Sequence, residues 1–313
     1  MKLLLAGSFD AAEREAWHAL LAAALPGHTL LVEPTAAERR DIEVAIVANP
    51  APGTLQALPR LRLVQSLWAG VDRLLADATL PAGVPLARMV DPALAAAMAE
   101  TALWAVLSLH RGFFDYQRQQ RAALWQQLAQ RRADEVAITL LGFGEMGRAC
   151  AAALVRAGYR VTAWTRSGRG AAMPGVSLIG GDAALGQRLA ASEVVINLLP
   201  LTADTRGLLD AAFFAAMPRH GAIVNLGRGA HVVDDDLLRA LDDDRLHHAV
   251  LDVFHTEPLP RTHRYWSHER VTLLPHAAAL TDPRSAAAVA AANVRAVAEG
   301  RPIAHAVDRA RGY

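Results

Sequence analysis

Cysteine is nearly absent from this 313-residue chain, and Cys150 is its only thiol. A single cysteine excludes an internal disulfide and suits a reducing compartment, so a cytoplasmic setting is expected. Cys150 lies among alanines just past a glycine-rich turn and reads as a small core residue, not a reactive thiol. Lysine is as scarce: Lys2 is the only one, and arginine carries the rest of the positive charge. The formal net charge is +1, with acids and bases mixed along the chain, which gives no support to a nucleic-acid or anionic-membrane partner. No run reads as a membrane span. The leucine-rich start is interrupted at Gly7 and Asp10 before a signal-peptide core reaches length, and a strand explains it better. Residues 92–109 are apolar but contain Glu100 and are bounded by Asp91 and His110, so they read as a buried helix.

What the chain does contain is alternation. Its length and its hydrophobic share of 53% suit two domains with sizeable cores. Residues 2–6, 29–32, 44–47 and 63–66 read as strands, and 11–25 as a helix with one apolar face. Helical stretches around 93–110 and 283–299 bracket a second strand series at 137–141, 160–164, 194–198, 222–225, 248–252 and 271–274. Strands separated by helices predict right-handed βαβ units, hence an α/β fold of two doubly wound parallel-sheet domains. The expected division is a discontinuous domain of residues 1–97 and 285–313 around an inserted dinucleotide-binding domain of residues 98–284.

Gly142-Phe143-Gly144-Glu145-Met146-Gly147 matches G-x-G-x-x-G in its required context, after an apolar strand and at the start of a helical pattern. Gly142 permits the tight turn, Gly144 lets backbone approach a pyrophosphate, and Gly147 allows close helix–strand packing. The next strand does not end in the acid that would hold a free ribose 2′-hydroxyl. Instead it runs into Thr165-Arg166-Ser167-Gly168-Arg169, two arginines and two hydroxyls that suit a 2′-phosphate. NADPH is therefore expected in preference to NADH.

Three further residues each stand where a strand of this block ends: Arg228 in Asn225-Leu226-Gly227-Arg228-Gly229, Glu257 before Pro258, and His276 after Pro275. In an open α/β sheet the loops after the carboxyl ends of strands line the ligand crevice. An arginine, a glutamate and a histidine gathered there suit the binding of a 2-keto acid and protonation of its oxygen as hydride arrives. No metal is expected. His247 and His248 are adjacent and lack a carboxylate-rich ligand set, while His263 and His268 read as solvated loop residues. Ser192 and Ser285 lack a nucleophile-elbow context.

The order of glycine turn, N-x-x-R-G, D-V-F-x-x-E-P and P-H-x-A resembles the D-isomer-specific 2-hydroxyacid dehydrogenase family over essentially the whole chain, most nearly its glyoxylate/hydroxypyruvate reductase A subgroup. Supporting stretches are Ile196-Asn197-Leu198-Leu199-Pro200 and His231-Val232-Val233-Asp234. The resemblance implies a Rossmann cofactor domain inserted into a flavodoxin-like substrate domain. It also implies reduction of glyoxylate and hydroxypyruvate to glycolate and D-glycerate. Arg228 would then hold the substrate carboxylate, and His276 would donate the proton, oriented and kept charged by Glu257. The loop of Trp68, Ala69 and Gly70 would bind the carboxylate. Gly142, Gly144, Glu145, Met146, Gly147, Thr165, Arg166, Ser167, Leu199, Pro200, Leu226, Gly227 and Asp252 would bind cofactor. Trp68 and Ala48 depart from the family pattern, the first where a small residue is expected and the second where a tryptophan is. Residues 111–132, with Phe113, Phe114, Tyr116 and Trp125, are too aromatic for a connector, and the resemblance implies a homodimer built around them. Related co-repressors share the fold and sense a dinucleotide, so a dinucleotide-sensing regulatory protein is the second reading. The 3-hydroxyacid dehydrogenases place the glycine turn near the N-terminus, whereas here it lies mid-chain.

Overall fold

The leucines after Lys2 are buried in a first strand, β1 (Lys2–Gly7), that lies inside a parallel sheet. The computed structural model describes residues 1–313 and divides into one unit of Met1–Leu94 with Thr281–Tyr313 and another of Ala95–Leu280. In the first unit β1 is followed by α1 (Ala11–Ala24), β2 (Thr29–Leu31), α2 (Ala36–Arg39), β3 (Ile42–Ala48), β4 (Leu63–Ser66), α3 (Asp72–Leu75) and β5 (Leu86–Ala87). A capping box starts α1: Asp10 accepts the Glu13 N–H at 2.8 Å, and Glu13 accepts the Asp10 N–H at 3.1 Å. The sheet order is β2-β1-β3-β4-β5 with every pair parallel. That is the flavodoxin-like order.

The second unit takes up most of α4 (Pro92–His110) and then α5 (Phe113–Arg121), β6 (Ala137–Leu141), α6 (Glu145–Arg156), β7 (Arg160–Thr165), β8 (Val176–Gly180), α7 (Asp182–Leu189), β9 (Val194–Asn197), α8 (Ala211–Ala216), β10 (Gly221–Asn225), α9 (Asp234–Asp242), β11 (Leu246–Leu251) and β12 (Val271–Leu273). The chain then returns to the first unit in α10 (Pro283–Ala298), whose alanines pack with Leu3, Leu5, Trp17 and Leu21. The second sheet runs β12-β11-β10-β9-β6-β7-β8, all parallel. Counted within the unit this is the Rossmann order with one more strand at the edge, and its direction of winding reverses between β6 and β9.

Each strand expected from the sequence is present, and β5 and β8 are additional. One expectation needs correction. Composition predicts a buried α4, but only one side of it enters the core, through Ala99, Ala102, Ala105 and Val106. Trp104 is 40% and Leu107 36% exposed. Alanine supplies the inner face because a helix lying close on a sheet leaves little room, so the bulk of this apolar helix is turned outward.

Candidate active site

Every catalytic or cofactor residue expected in the second unit falls at or just beyond the carboxyl end of a strand. The turn from β6 into α6 is built by its glycines. Gly142 has φ +99° and donates its N–H to the Trp164 carbonyl at 2.9 Å. A Cβ on Gly147 would lie 2.2 Å from the Gly142 carbonyl oxygen, so no other residue lets α6 start this close to β6. Gly144 caps α6 without a side-chain hydrogen bond, and a Cβ built on it would meet open space. Glu145 and Met146 form the first turn behind it. An uncovered helix N-terminus with room above its glycine fits the pyrophosphate of a dinucleotide.

Beyond β7, Thr165, Arg166 and Ser167 form a tight turn. Gly168 donates to the Thr165 carbonyl at 3.1 Å, and Ser167 Oγ accepts the Arg169 N–H at 3.2 Å. The strand end itself carries no acid, but the fold supplies one. Arg166 Nη1 is 2.8 Å from Asp204 Oδ2, on the segment after β9, with both side chains more than half exposed. Any anion drawn to Arg166 shares it with that carboxylate.

Leu199 and Pro200 follow β9, and Leu226, Gly227 and Arg228 follow β10. Leu226 N–H bonds the Asn197 carbonyl at 3.0 Å, which continues the strand pairing into the loop. The Arg228 backbone carbonyl accepts Asn225 Nδ2 at 3.0 Å, and its Nη1 donates to the Gly227 carbonyl at 2.8 Å. A Cβ on Gly229 would stand 1.9 Å from the Phe254 carbonyl carbon. The Arg228 loop thus lies directly against the one carrying Glu257.

His276 Nδ1 is 2.8 Å from Glu257 Oε2, and Glu257 Oε1 accepts the Phe254 N–H at 3.0 Å. His276 sits at φ +52°, in the left-handed region that few residues other than glycine occupy. Asp252 holds it. The Asp252 carbonyl accepts the His276 N–H at 2.9 Å, and Oδ1 accepts those of Ala277 and Ala278 at 2.7 and 2.9 Å. Burial pushes the Asp252 carboxyl up from its usual range, against the pull of those two N–H groups. Asp252, expected as a cofactor contact, therefore has an oxygen committed to the His276 loop. The Glu257 loop is pinned further along. His255 Nε2 lies 2.8 Å from the Val232 carbonyl, and buried Tyr265 donates to Asp234 at 2.9 Å. His263 and His268, expected to be solvated, are engaged instead. His263 Nδ1 accepts the Tyr265 N–H, and His268, 10% exposed, lies 3.2 Å from Asp242.

In the first unit the loop after β4 carries Trp68, Ala69 and Gly70. The Trp68 ring packs edge-on to Trp17 with centroids 6.4 Å apart, and the Trp68 backbone N–H donates to Ser66 Oγ at 3.0 Å. The half-buried ring thus packs against the core, and what this loop can offer a carboxylate is the backbone N–H of Ala69 and Gly70. Ala48 is 1% exposed on β3, packed where Gly7 leaves space only for a small neighbour. Sequence reasoning gave no role to Asn197, Asn225, His231 or Asp204. The first two were visible as an asparagine closing each of two apolar strands.

The fold and the glycine turn define a dinucleotide-binding α/β protein with an acid–base pair at its strand ends. Residues 103–278 match the family described as D-isomer specific 2-hydroxyacid dehydrogenase, NAD binding domain. The glyoxylate/hydroxypyruvate reductase A of Klebsiella pneumoniae is 38% identical over 302 residues, 95% of this chain and 96% of that protein. That of Serratia proteamaculans is 40% identical over 88% of both. Among solved structures, a D-isomer specific 2-hydroxyacid dehydrogenase from Xanthobacter autotrophicus in complex with NADPH and MES superimposes with a TM-score of 0.93 at 36% identity, over 100% of this chain and 99% of that one. The NADPH-dependent glyoxylate/hydroxypyruvate reductase of Sinorhizobium meliloti, in complex with NADP and sulfate, gives 0.91 at 33% identity over the same shares. The chain belongs to the D-isomer specific 2-hydroxyacid dehydrogenase family and is an oxidoreductase of that class.

Proposed function

We propose that this protein reduces glyoxylate and hydroxypyruvate to glycolate and D-glycerate with NADPH. The single observation that carries the proposal is the 2.8 Å pairing of His276 with Glu257 beyond the carboxyl ends of β12 and β11, the two strands that follow the Arg228-bearing β10 in the sheet. The uncovered α6 N-terminus with Gly142, Gly144, Glu145, Met146 and Gly147 would hold the pyrophosphate. Thr165, Arg166 and Ser167 would hold a 2′-phosphate, and Leu199, Pro200, Leu226, Gly227 and Asp252 the nicotinamide end. Bound there, NADPH supplies the hydride. Arg228 orients the keto acid by its carboxylate and draws charge toward the keto oxygen, a task for which the planar guanidinium suits better than a point charge. His276, oriented through Nδ1 by Glu257, gives its Nε2 proton to the developing alkoxide. The relatives named glyoxylate/hydroxypyruvate reductase support the substrates, and the structures in complex with NADPH or NADP support the cofactor. We further propose a homodimer and a cytoplasmic setting. Exposed aromatic residues on α4, α5 and the segment after them support the first, and a lone buried thiol supports the second.

Steady-state rates on a panel of 2-keto acids, with NADPH and NADH in parallel, test the proposal. Turnover of glyoxylate and hydroxypyruvate with NADPH is the expected result. Dinucleotide binding without turnover of any keto acid would replace it with the sensing role.

A further inference from the structure

Two asparagines close neighbouring strands, Asn197 on β9 and Asn225 on β10, and both are buried. Asn197 Oδ1 accepts the Leu199 N–H at 3.2 Å, and its Nδ2 donates to Asn225 Oδ1 at 2.9 Å. Asn225 Oδ1 also accepts the Gly227 N–H at 3.2 Å, while Asn225 Nδ2 holds the Arg228 carbonyl. His231, 0% exposed, joins this network from a short 3₁₀ turn (Gly229–His231). Its Nδ1 faces two donors, the Arg228 N–H at 3.1 Å and Asn197 Nδ2 at 2.9 Å. Two N–H groups aimed at one ring nitrogen require a lone pair there, which places the proton on Nε2. That N–H lies 3.3 Å from the Pro200 carbonyl.

We propose that His231, held as a neutral imidazole with its proton on Nε2, is a positioning residue for Arg228. It grips the Arg228 N–H with one nitrogen and the Pro200 carbonyl with the other, so the loops after β9 and β10 are locked to each other. Asn225 fixes the other side of the same residue through its carbonyl. The backbone of Arg228 is thereby set from both ends, and a long flexible side chain starts from a rigid point. Only a ring with an acceptor on the near nitrogen and a donor on the far one satisfies both contacts. A proton on Nδ1 would set a donor against two donors. The inference rests on the reading that Arg228 binds the substrate carboxylate.

Three variants separate positioning from mere packing. His231→Asn keeps an acceptor near the Arg228 N–H. His231→Gln puts its amide toward Pro200 and leaves that N–H without a partner. His231→Leu removes both contacts. The expected order of kcat/KM for glyoxylate is parent, then Asn, then Gln and Leu, the last falling roughly 10–100-fold, as displacement of an orienting group does. NADPH affinity, read by fluorescence titration, should fall less than kcat/KM in all three, because the α6 cradle and the turn after β7 are untouched and only the Pro200 end of the cofactor site leans on His231. In an Arg228→Ala background His231→Leu should cost little more, since residues acting through one another are non-additive. Should His231→Leu fail to fold, the comparison of Asn with Gln decides alone. A Gln variant as active as Asn, or a His231→Leu loss that multiplies with Arg228→Ala, overturns the inference. If Arg228→Ala itself leaves kcat/KM unchanged, the reading of Arg228 falls first and this inference falls with it.

Discussion

His276 meets Glu257 through Nδ1, which leaves Nε2 as the ring nitrogen able to deliver a proton. His276→Ala should therefore lose roughly 10²–10⁴-fold in keto-acid reduction, the contribution of a positioned acid, with NADPH binding intact. Glu257→Gln keeps a hydrogen-bonding group beside the ring but removes the carboxylate that orients it through Nδ1. Its kcat/KM for glyoxylate should fall while NADPH affinity, read by titration, stays that of the parent, and an unchanged kcat/KM would remove Glu257 from that role. The Arg166–Asp204 pair gives a second prediction at this scale. An exposed pair of this kind is worth about 0.2–1 kcal/mol, so freeing Arg166 with Asp204→Asn should tighten NADPH binding up to roughly 5-fold and leave NADH binding unaltered. Arg166→Ala should weaken NADPH alone. Titration of both cofactors with both variants checks the pair; equal changes for NADH would make Arg166 a structural residue. The individual chemistry-bearing residues were legible because each follows an apolar run that must be a strand. Asp204 was not, because it meets Arg166 only after the chain has formed α7 and β9 between them.

Among the elements, α5 is fastened to the second sheet by an aromatic stack. Phe114 and His248 lie parallel with centroids 4.3 Å apart. His248 is 2% exposed, its Nε2 lies 2.9 Å from Thr272 Oγ1, and its Nδ1 has no partner. Burial, with Arg118 and His247 adding to it and Asp115 opposing, lowers its pKa from 6.5 to about 3. The folded protein thus holds this ring neutral where the unfolded chain protonates it. Its contribution to stability is complete above pH 6.5 and is lost as pH falls toward 3, at about 1.4 kcal/mol for each pH unit between the two values. His248→Phe keeps the stack and removes the titration. Urea unfolding at about pH 7 and pH 5 should show the parent losing more stability on acidification than the variant. Parallel losses would assign the acid sensitivity to other groups. Element-scale reading from sequence succeeded where apolar runs were long, as in 137–141 and 222–225. It missed β5 because a two-residue strand has no period, and β8 because its glycine-flanked, half-buried residues carry no alternation. The partial burial of α4 was hidden for a related reason: apolar composition does not tell an inner face from an outer one.

For the whole molecule, the exposed apolar side chains raise the question of what covers them. Trp104 and Leu107 on α4, Phe113 at the start of α5, and Leu124 and Trp125 just beyond it are all more than a third exposed, Trp125 at 95%. Leaving them in water forgoes roughly 1.5–3 kcal/mol for each large side chain that could be buried. They come from one stretch of sequence, 104–125, and Trp104 already packs edge-on to Phe114 at 5.8 Å, which stiffens part of that surface. A second copy would present the same side chains, and an isologous contact buries each of them twice. Arg121 and the glutamines of α5 would supply a polar rim, the pattern of stable interfaces. The prediction is a homodimer in sedimentation equilibrium at micromolar concentration, with a thermal midpoint that rises with protein concentration if dissociation accompanies unfolding. Leu107→Glu introduces a charge on the outward side of α4, at a position 36% exposed in the single chain, and circular dichroism reads whether that chain's fold survives it. In a dimer the same charge would be buried without a partner, at a cost of several kcal/mol across two copies. The variant should therefore sediment as a monomer while its circular dichroism stays that of the parent. A parent that is monomeric at micromolar concentration, or a Leu107→Glu variant that remains dimeric, would place the contact elsewhere or abolish it.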